Sequence, residues 1–431
     1  YYIAEKYSPA VIPNILYMTK VSRNVESAFL FVLGVNMRIL TIEWMNYFSD
    51  RYSMNDTTRT MPLGRPILAK PKQTRVYSQA KISPDGNSVA YVTNELGQVK
   101  IYLQDLATGK RKRLSKRGQK LDRINDYSYP LLAWHPTGQI LSWIYEKEGE
   151  TFLVFYTLET GEKIEKPIFN FIKIIDYAYS PNGQSLVMSA VTKGQTDIFV
   201  YNIAGGGANQ ITNDIYDDLN PRFVNNGKDI IFSSNRLNDT LGVVDPDVHL
   251  NRYYDLFVYN WESKSNVLRR ITNTPMVNEL QAQPWDSTHF SFLGDKNGIR
   301  NRYVAHFDSA IAYIDTAAHY RYFATSVPIT NYKYGILEQE IAPNAGKLSQ
   351  IMYHDGRYYI YTETMPTFAD LKPVKIKNTQ YRDRVTELSK IEAELDSLEK
   401  IKQPQSQVPG QPMQIVKVED PKTVVKDTGA I

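Results

Sequence analysis

Two positions in a recurring turn motif hold most of the polar side chains that can act together. Five residues before the turn proline, or before Asn225 or Asp286 where proline is replaced, stand Gln79, Leu131, Asp176, Asn220, Gln281 and Glu338. Two residues further on stand Lys81, Ala133, Ala178, Arg222, Gln283 and Glu340. Carboxylates, amides, a lysine and an arginine gathered in one ring can grip a peptide segment by charge-assisted hydrogen bonds, or hold an ion. The residue just before each turn reads Ile82, Trp134, Tyr179, Phe223, Pro284 and Ile341. Successive residues of a strand face opposite sides. The polar set is therefore expected to face a central channel, and the apolar set to pack between neighbouring units. The channel set holds no aromatic residue, which counts against carbohydrate binding there.

Other chemistry finds little footing. There is no G-x-S-x-G for a serine hydrolase, no H-E-x-x-H for a zinc peptidase, and no P-loop or G-x-G-x-x-G. The six histidines, at 135, 249, 289, 306, 319 and 354, are scattered, and cysteine is absent, which excludes disulfides and thiolate chemistry. An insertion at 236–254 carries Asp239, Asp245, Asp247 and His249. Its order is not that of a calcium loop, and an ordinary polar loop is the expectation. Lys110 to Arg123 is strongly basic. It could bind anionic lipid head groups or nucleic acid, but no aromatics interleave as a single-strand binder requires, a net charge of +4 is too small to argue for nucleic acid, and a solvated loop between blades is the expectation. We expect no catalytic centre, no cofactor and no metal.

These residues are positioned by a repeat. Tight turns recur at Ser83-Pro84-Asp85-Gly86, His135-Pro136-Thr137-Gly138, Ser180-Pro181-Asn182-Gly183 and Asn225-Asn226-Gly227, with weaker versions near Asp286 and Pro343. The glycines at 86, 138, 183 and 227 lie 44 to 52 residues apart, the period of a propeller blade. An apolar strand follows each turn, and then a second strand, which in the fifth unit is worn down to Ala312–Ile314. The chain is thus expected to be mainly β: a six-bladed β-propeller over 71–368. An N-terminal helical segment (1–52), a connector (53–70), a helix (369–402) and a linker with tail (403–431) flank it. The stretch Met61 to Ala69 is permitted to close the ring as an extra strand. Leu388, Ile391, Leu395 and Leu398 form a stripe for docking on a partner or on the propeller. No run of 18 apolar residues suggests a membrane span. The chain opens at Tyr1 without a Met and reads as a fragment or a processed product.

The phrase Ser83–Gly86 with Tyr102–Gly109, and Tyr201–Asn213 with Asp218–Arg236, resembles the repeats of TolB-like six-bladed propellers. That resemblance is specific for the fold and implies a bacterial envelope protein, periplasmic or associated with the outer membrane. It also implies a protein or peptide partner, peripheral contact with a membrane protein, and no nucleic acid. The phrase Ala28-Phe29…Leu33-Gly34…Trp44…Tyr47 is similar to the closing helices of peptidase MA-type zinc peptidase domains. This second resemblance implies an alternative, a propeller attached behind a catalytic domain encoded upstream.

Overall fold

In the computed structural model, residues 1–53, 58–121, 125–243, 253–316 and 318–402 are described. Six antiparallel sheets follow one another along the chain. The first blade is β1 (Val76–Ile82), β2 (Ser88–Glu95), β3 (Gln98–Asp105) and β4 (Arg111–Arg117). The second is β5 (Leu131–Trp134), β6 (Ile140–Lys147), β7 (Glu150–Thr157) and β8 (Lys163–Ile168). The third is β9 (Lys173–Tyr179), β10 (Ser185–Thr192), β11 (Gln195–Asn202) and β12 (Ala208–Gln210). The fourth is β13 (Asp218–Val224), β14 (Asp229–Ser234), β15 (Asp255–Asn260) and β16 (Arg269–Arg270). The fifth is β17 (Glu279–Pro284), β18 (His289–Gly294), β19 (Asn301–Ile314) and β20 (Ala318–Pro328). The sixth has three strands, β21 (Ile336–Ala342), β22 (Lys347–His354) and β23 (Arg357–Thr364).

The turn chemistry explains the first hairpin of blades one to three. Gly86, Gly138 and Gly183 sit at φ near +70° and return their N–H groups to the carbonyls of Ser83, His135 and Ser180. Gly183 has a second constraint: a Cβ there would lie 2.1 Å from His135 Nε2. The third strands are anchored by a different device. The hydroxyls of Thr212, Thr272 and Thr330 accept the N–H groups of Ile198, Leu256 and Arg302 at 2.8 to 2.9 Å. The residues just before those acceptors' partners, Asp197, Asp255 and Asn301, take N–H groups from the same corners. Each of these threonines lies in an Ile-Thr-Asn triplet, at 211–213, 271–273 and 329–331, and the device satisfies backbone groups where the chain crosses between blades.

Apolar side chains fill the spaces between blades. One cluster joins Val92 and Ile101 of the first blade to Trp143 and Val154 of the second; another joins Val258 of the fourth to Phe290 and Phe292 of the fifth. The connector closes the ring. Pro66 bridges Tyr361 of β23, the Ile67 N–H donates to the Ile360 carbonyl, and the Gln104 side chain of the first blade donates back to the Ile67 carbonyl. The connector thus takes the place of the missing fourth strand of blade six.

Two sequence expectations need correction. The third strand of blade five is not worn to Ala312–Ile314: β19 begins at Asn301, its polar start having masked it, and pairs with β20 in a long hairpin. Within the segment 369–402 the helix read over 381–402 is present as α5 (Gln380–Lys402). Residues 371–379 instead run extended along blade five, with Val374 bonded to Pro328 and Thr379 to Asn297. The N-terminal helical segment consists of α1 (Tyr2–Tyr7), α2 (Val11–Ser22), α3 (Val25–Leu33) and α4 (Met37–Ser53). On α4 the spacing of Met37, Leu40, Trp44, Tyr47 and Phe48 reads as one apolar face, but only Leu40 of these is buried and Trp44 is half-exposed. Among the described residues no single helix is long and apolar enough to cross a membrane. Arg123, Asp245, Asp247, His249 and the tail from 403 lie outside the described residues.

Candidate functional site

All six inner strands contribute to a funnel of about 240 Å³ at one mouth of the axial channel. Of the polar set, Lys81, Arg222, Gln283 and Glu340 line it. Its collar is Trp134, Tyr179 and Phe223 with Pro84, Pro136 and Pro343. The aromatics were expected only between blades. They do pack there, the Trp134 indole donating to the Lys81 carbonyl at 2.9 Å and Tyr179 meeting the His135 ring edge-on at 5.1 Å. They also border the mouth, so the expectation of a channel without aromatic side chains is corrected.

The polar side chains below the collar are paired across blades. Lys81 of blade one meets Glu340 of blade six at 2.6 Å. Asp176 of blade three takes Arg222 of blade four at 2.8 Å and the Asn220 amide at 3.2 Å. Burial raises the Asp176 carboxyl, but the charges of Arg222 and Lys81 outweigh it and hold the group below its usual range. Glu338 accepts the Gln79 N–H at 2.6 Å. Burial, with the neighbouring Asp176 and Glu340 charges, pushes its carboxyl up to about 7 against the pull of Lys81. The same charges act on one another from blades one, three, four and six, which places this set around the axis.

Simple alternation does not describe how these residues face. Gln79, Asn220 and Gln281 have φ of 53 to 54°, and the ladders shift register beside each of them. A bulge at that point breaks the two-residue period. Gln79 therefore reaches sideways to accept the Leu132 N–H of blade two, and Gln281 exchanges hydrogen bonds with Leu337 and Gln339 of blade six. Of the sequence-predicted set, Lys81, Arg222, Gln283 and Glu340 line the mouth, while Gln79, Asn220 and Gln281 stitch blades together. Asp176 and Glu338 are the partners that the stitching uses.

A second polar cluster was legible only in part. Asp197, Asp214 and Asp218 each place one carboxylate oxygen within 4.8 Å of the others, all buried. Arg236, itself buried, grips Asp218 at 2.8 and 2.9 Å, reaches Asp214 at 3.4 Å, and lies over the rings of Tyr216 and Phe232. A guanidinium therefore supplies the countercharge. Burial and the neighbouring carboxylates push Asp197 up to about 7. The signal for Asp197 was its place at the head of a third strand, matching Asp255 and Asn301. Among the histidines, His289 meets Asp286 and Thr288 through the same nitrogen, and His354 is stacked on Tyr359 and bonded to the Tyr361 hydroxyl.

Residues 116–240 match the family described as TolB beta propeller domain. A 34-residue stretch is 65% identical to the Tol-Pal system protein TolB of Coxiella burnetii, covering 8% of this chain and 8% of that protein. Among solved structures, TolB from Acinetobacter baumannii is 13% identical, with a TM-score of 0.43 over 71% of this chain and 65% of that one. The propeller domain of the Trilobed protease from Pyrococcus furiosus is 11% identical, with a TM-score of 0.43 over 71% of this chain and all of that one. The propeller of this chain is TolB-like and six-bladed.

Proposed function

We propose that the chain is a non-catalytic docking module of a bacterial cell-envelope protein, periplasmic or associated with the outer membrane, which takes a peptide segment of a protein partner in the funnel. The observation that carries this reading is the funnel's construction. An apolar, aromatic and proline-rich collar stands over a floor whose charges are already paired. Such a site rewards an uncharged or apolar side chain inserted from above, because a charged one would have to displace an existing pair. The likeness to the TolB propeller family supports the envelope assignment and a protein partner. Panning a random peptide library on the full chain tests it. The expected clones carry aromatic or aliphatic anchors and lose binding to Phe223→Asp; an absence of enrichment over an unrelated propeller counts against it.

A second reading, the propeller part of a zinc peptidase with its catalytic domain upstream, is favoured by one observation. Leu16, Tyr17 and Phe31 of the N-terminal helices are well exposed, a surface suited to an adjoining domain. The coding sequence adjoining the Tyr1 codon tests it, by the presence or absence of a His-Glu-x-x-His motif.

A further inference from the structure

We infer that the outer edge of the first blade is a second docking strip, which pairs with an extended acidic segment of a protein by adding it as a fifth strand beyond β4. This surface is separate from the funnel and does not depend on it. Seven of the eleven residues from Lys110 to Lys120 are basic and none is acidic. Their side chains are exposed, while Leu114, at the centre of β4, is buried. Lys120 is neutralised by Glu95 and Arg117 lies over the Tyr145 ring near Glu165. Among the described residues no carboxylate reaches Arg111, Arg113 or Lys116 within ion-pair distance. The excess is felt locally. Burial first, and then the cations of Arg75 and Lys116, which is Lys100's cross-strand neighbour, push the Lys100 ammonium below its usual value.

Cations on an edge strand often serve only to repel other strands. Two features of this molecule favour recruitment of an acidic strand instead. First, β4 is a full seven-residue strand that pairs only with β3, so it keeps an outer backbone edge, interrupted at Leu114, whose carbonyl accepts from Lys163 Nζ at 2.7 Å. The corresponding strands of blades three and four have three and two residues. Second, blade edges here do accept added chain. Pro66 and Ile67 pair with β23, and Thr240 bridges Val267 beyond blade four. A strand with carboxylates at alternate positions would meet Arg111 and Arg113 in charge-assisted hydrogen bonds while its backbone extends the ladder. The strip offers no exposed apolar side chain to insert among lipid tails, which disfavours a membrane surface.

The test is fluorescence anisotropy of a labelled decapeptide of alternating Glu and Thr with the full chain. Binding is expected at low salt and should weaken at least about tenfold when salt is raised severalfold. It should also weaken at least tenfold in Arg111→Ser/Arg113→Ser/Lys116→Ser, whose melting temperature should match the parent. Peptides N-methylated at alternate residues, in either register, separate strand addition from simple attraction, and one register is expected to lose binding. Equal affinity for both methylated peptides would overturn the inference. So would binding to phosphatidylglycerol vesicles in place of the peptide, or no binding at all.

Discussion

Arg236 holds both carboxylate oxygens of Asp218, at 2.9 and 2.8 Å, with neither side chain exposed to solvent. The pair links the head of β13 to the end of β14, and Asp214 and Asp197 stand beside it. Removing the cation leaves several carboxyl groups buried without countercharge, which costs far more than the pair itself contributes. Arg236→Met is expected to destabilise the propeller by about 3–5 kcal/mol in urea unfolding. Adding Asp218→Leu should recover part of that loss. A cost below about 1 kcal/mol would show that the cluster is not held by this cation.

Stability should fall as pH rises from 5 to 8. Burial raises Asp197, Glu279 and Glu338 to about 7, from ordinary values of 3.8 for Asp and 4.5 for Glu. A raised carboxyl binds its proton more tightly in the folded state, so its contribution is complete below the unfolded value and is lost as pH climbs through the folded one. Glu95 and Asp176 are shifted the opposite way, and their contributions are lost only in stronger acid. Glu279 is the cleanest probe, being buried with Oε2 lacking a hydrogen-bond partner. Glu279→Gln should raise stability at pH 8 by about 1–2 kcal/mol and flatten the slope, read as melting temperature against pH. An unchanged slope would contradict the assignment.

The connector should behave as a structural strand. Deleting residues 1–70 removes the Pro66–Tyr361 bridge, the Ile67–Ile360 hydrogen bond and the Gln104 acceptor. Deleting only 1–57 keeps them all. The shorter deletion is expected to melt near the parent temperature and the longer one several degrees lower. Equal melting points would mean that the ring closes without the connector.

At Gly183 a methyl group meets two obstacles, a φ of 72° and the His135 ring 2.1 Å away. Gly183→Ala should cost more than about 1 kcal/mol by chemical denaturation. Because His135 supports Tyr179, the variant should also weaken binding of a funnel peptide. A neutral substitution would show that the turn relaxes freely.

Much of this architecture could be read from residue types. The Ser-Pro-Asp-Gly and Ser-Pro-Asn-Gly turns announce positive φ directly, and their spacing counts the blades. The site was read less well, because the argument from alternation assumed unbroken strands. The bulges beside Gln79, Asn220 and Gln281 depend on non-glycine residues in left-handed conformation, which no local pattern marked. These residues turned sideways into the blade seams, while Trp134, Tyr179 and Phe223 were left to shape the mouth. The cluster of Asp197, Asp214, Asp218 and Arg236 joins residues from two blades, and it emerges only once β11 packs against β13.

The claim that the funnel receives a partner's peptide is tested most directly by photocrosslinking from position 223. A benzoylphenylalanine placed there, and a second placed at exposed Ile164 on the rim of blade two, would be irradiated with bacterial envelope extract and the adducts mapped by mass spectrometry. The account predicts that position 223 captures one defined peptide segment of an envelope protein, competed by the library-selected peptides and absent from position 164. Capture of the same set of proteins from both positions, or of none from position 223, would contradict it.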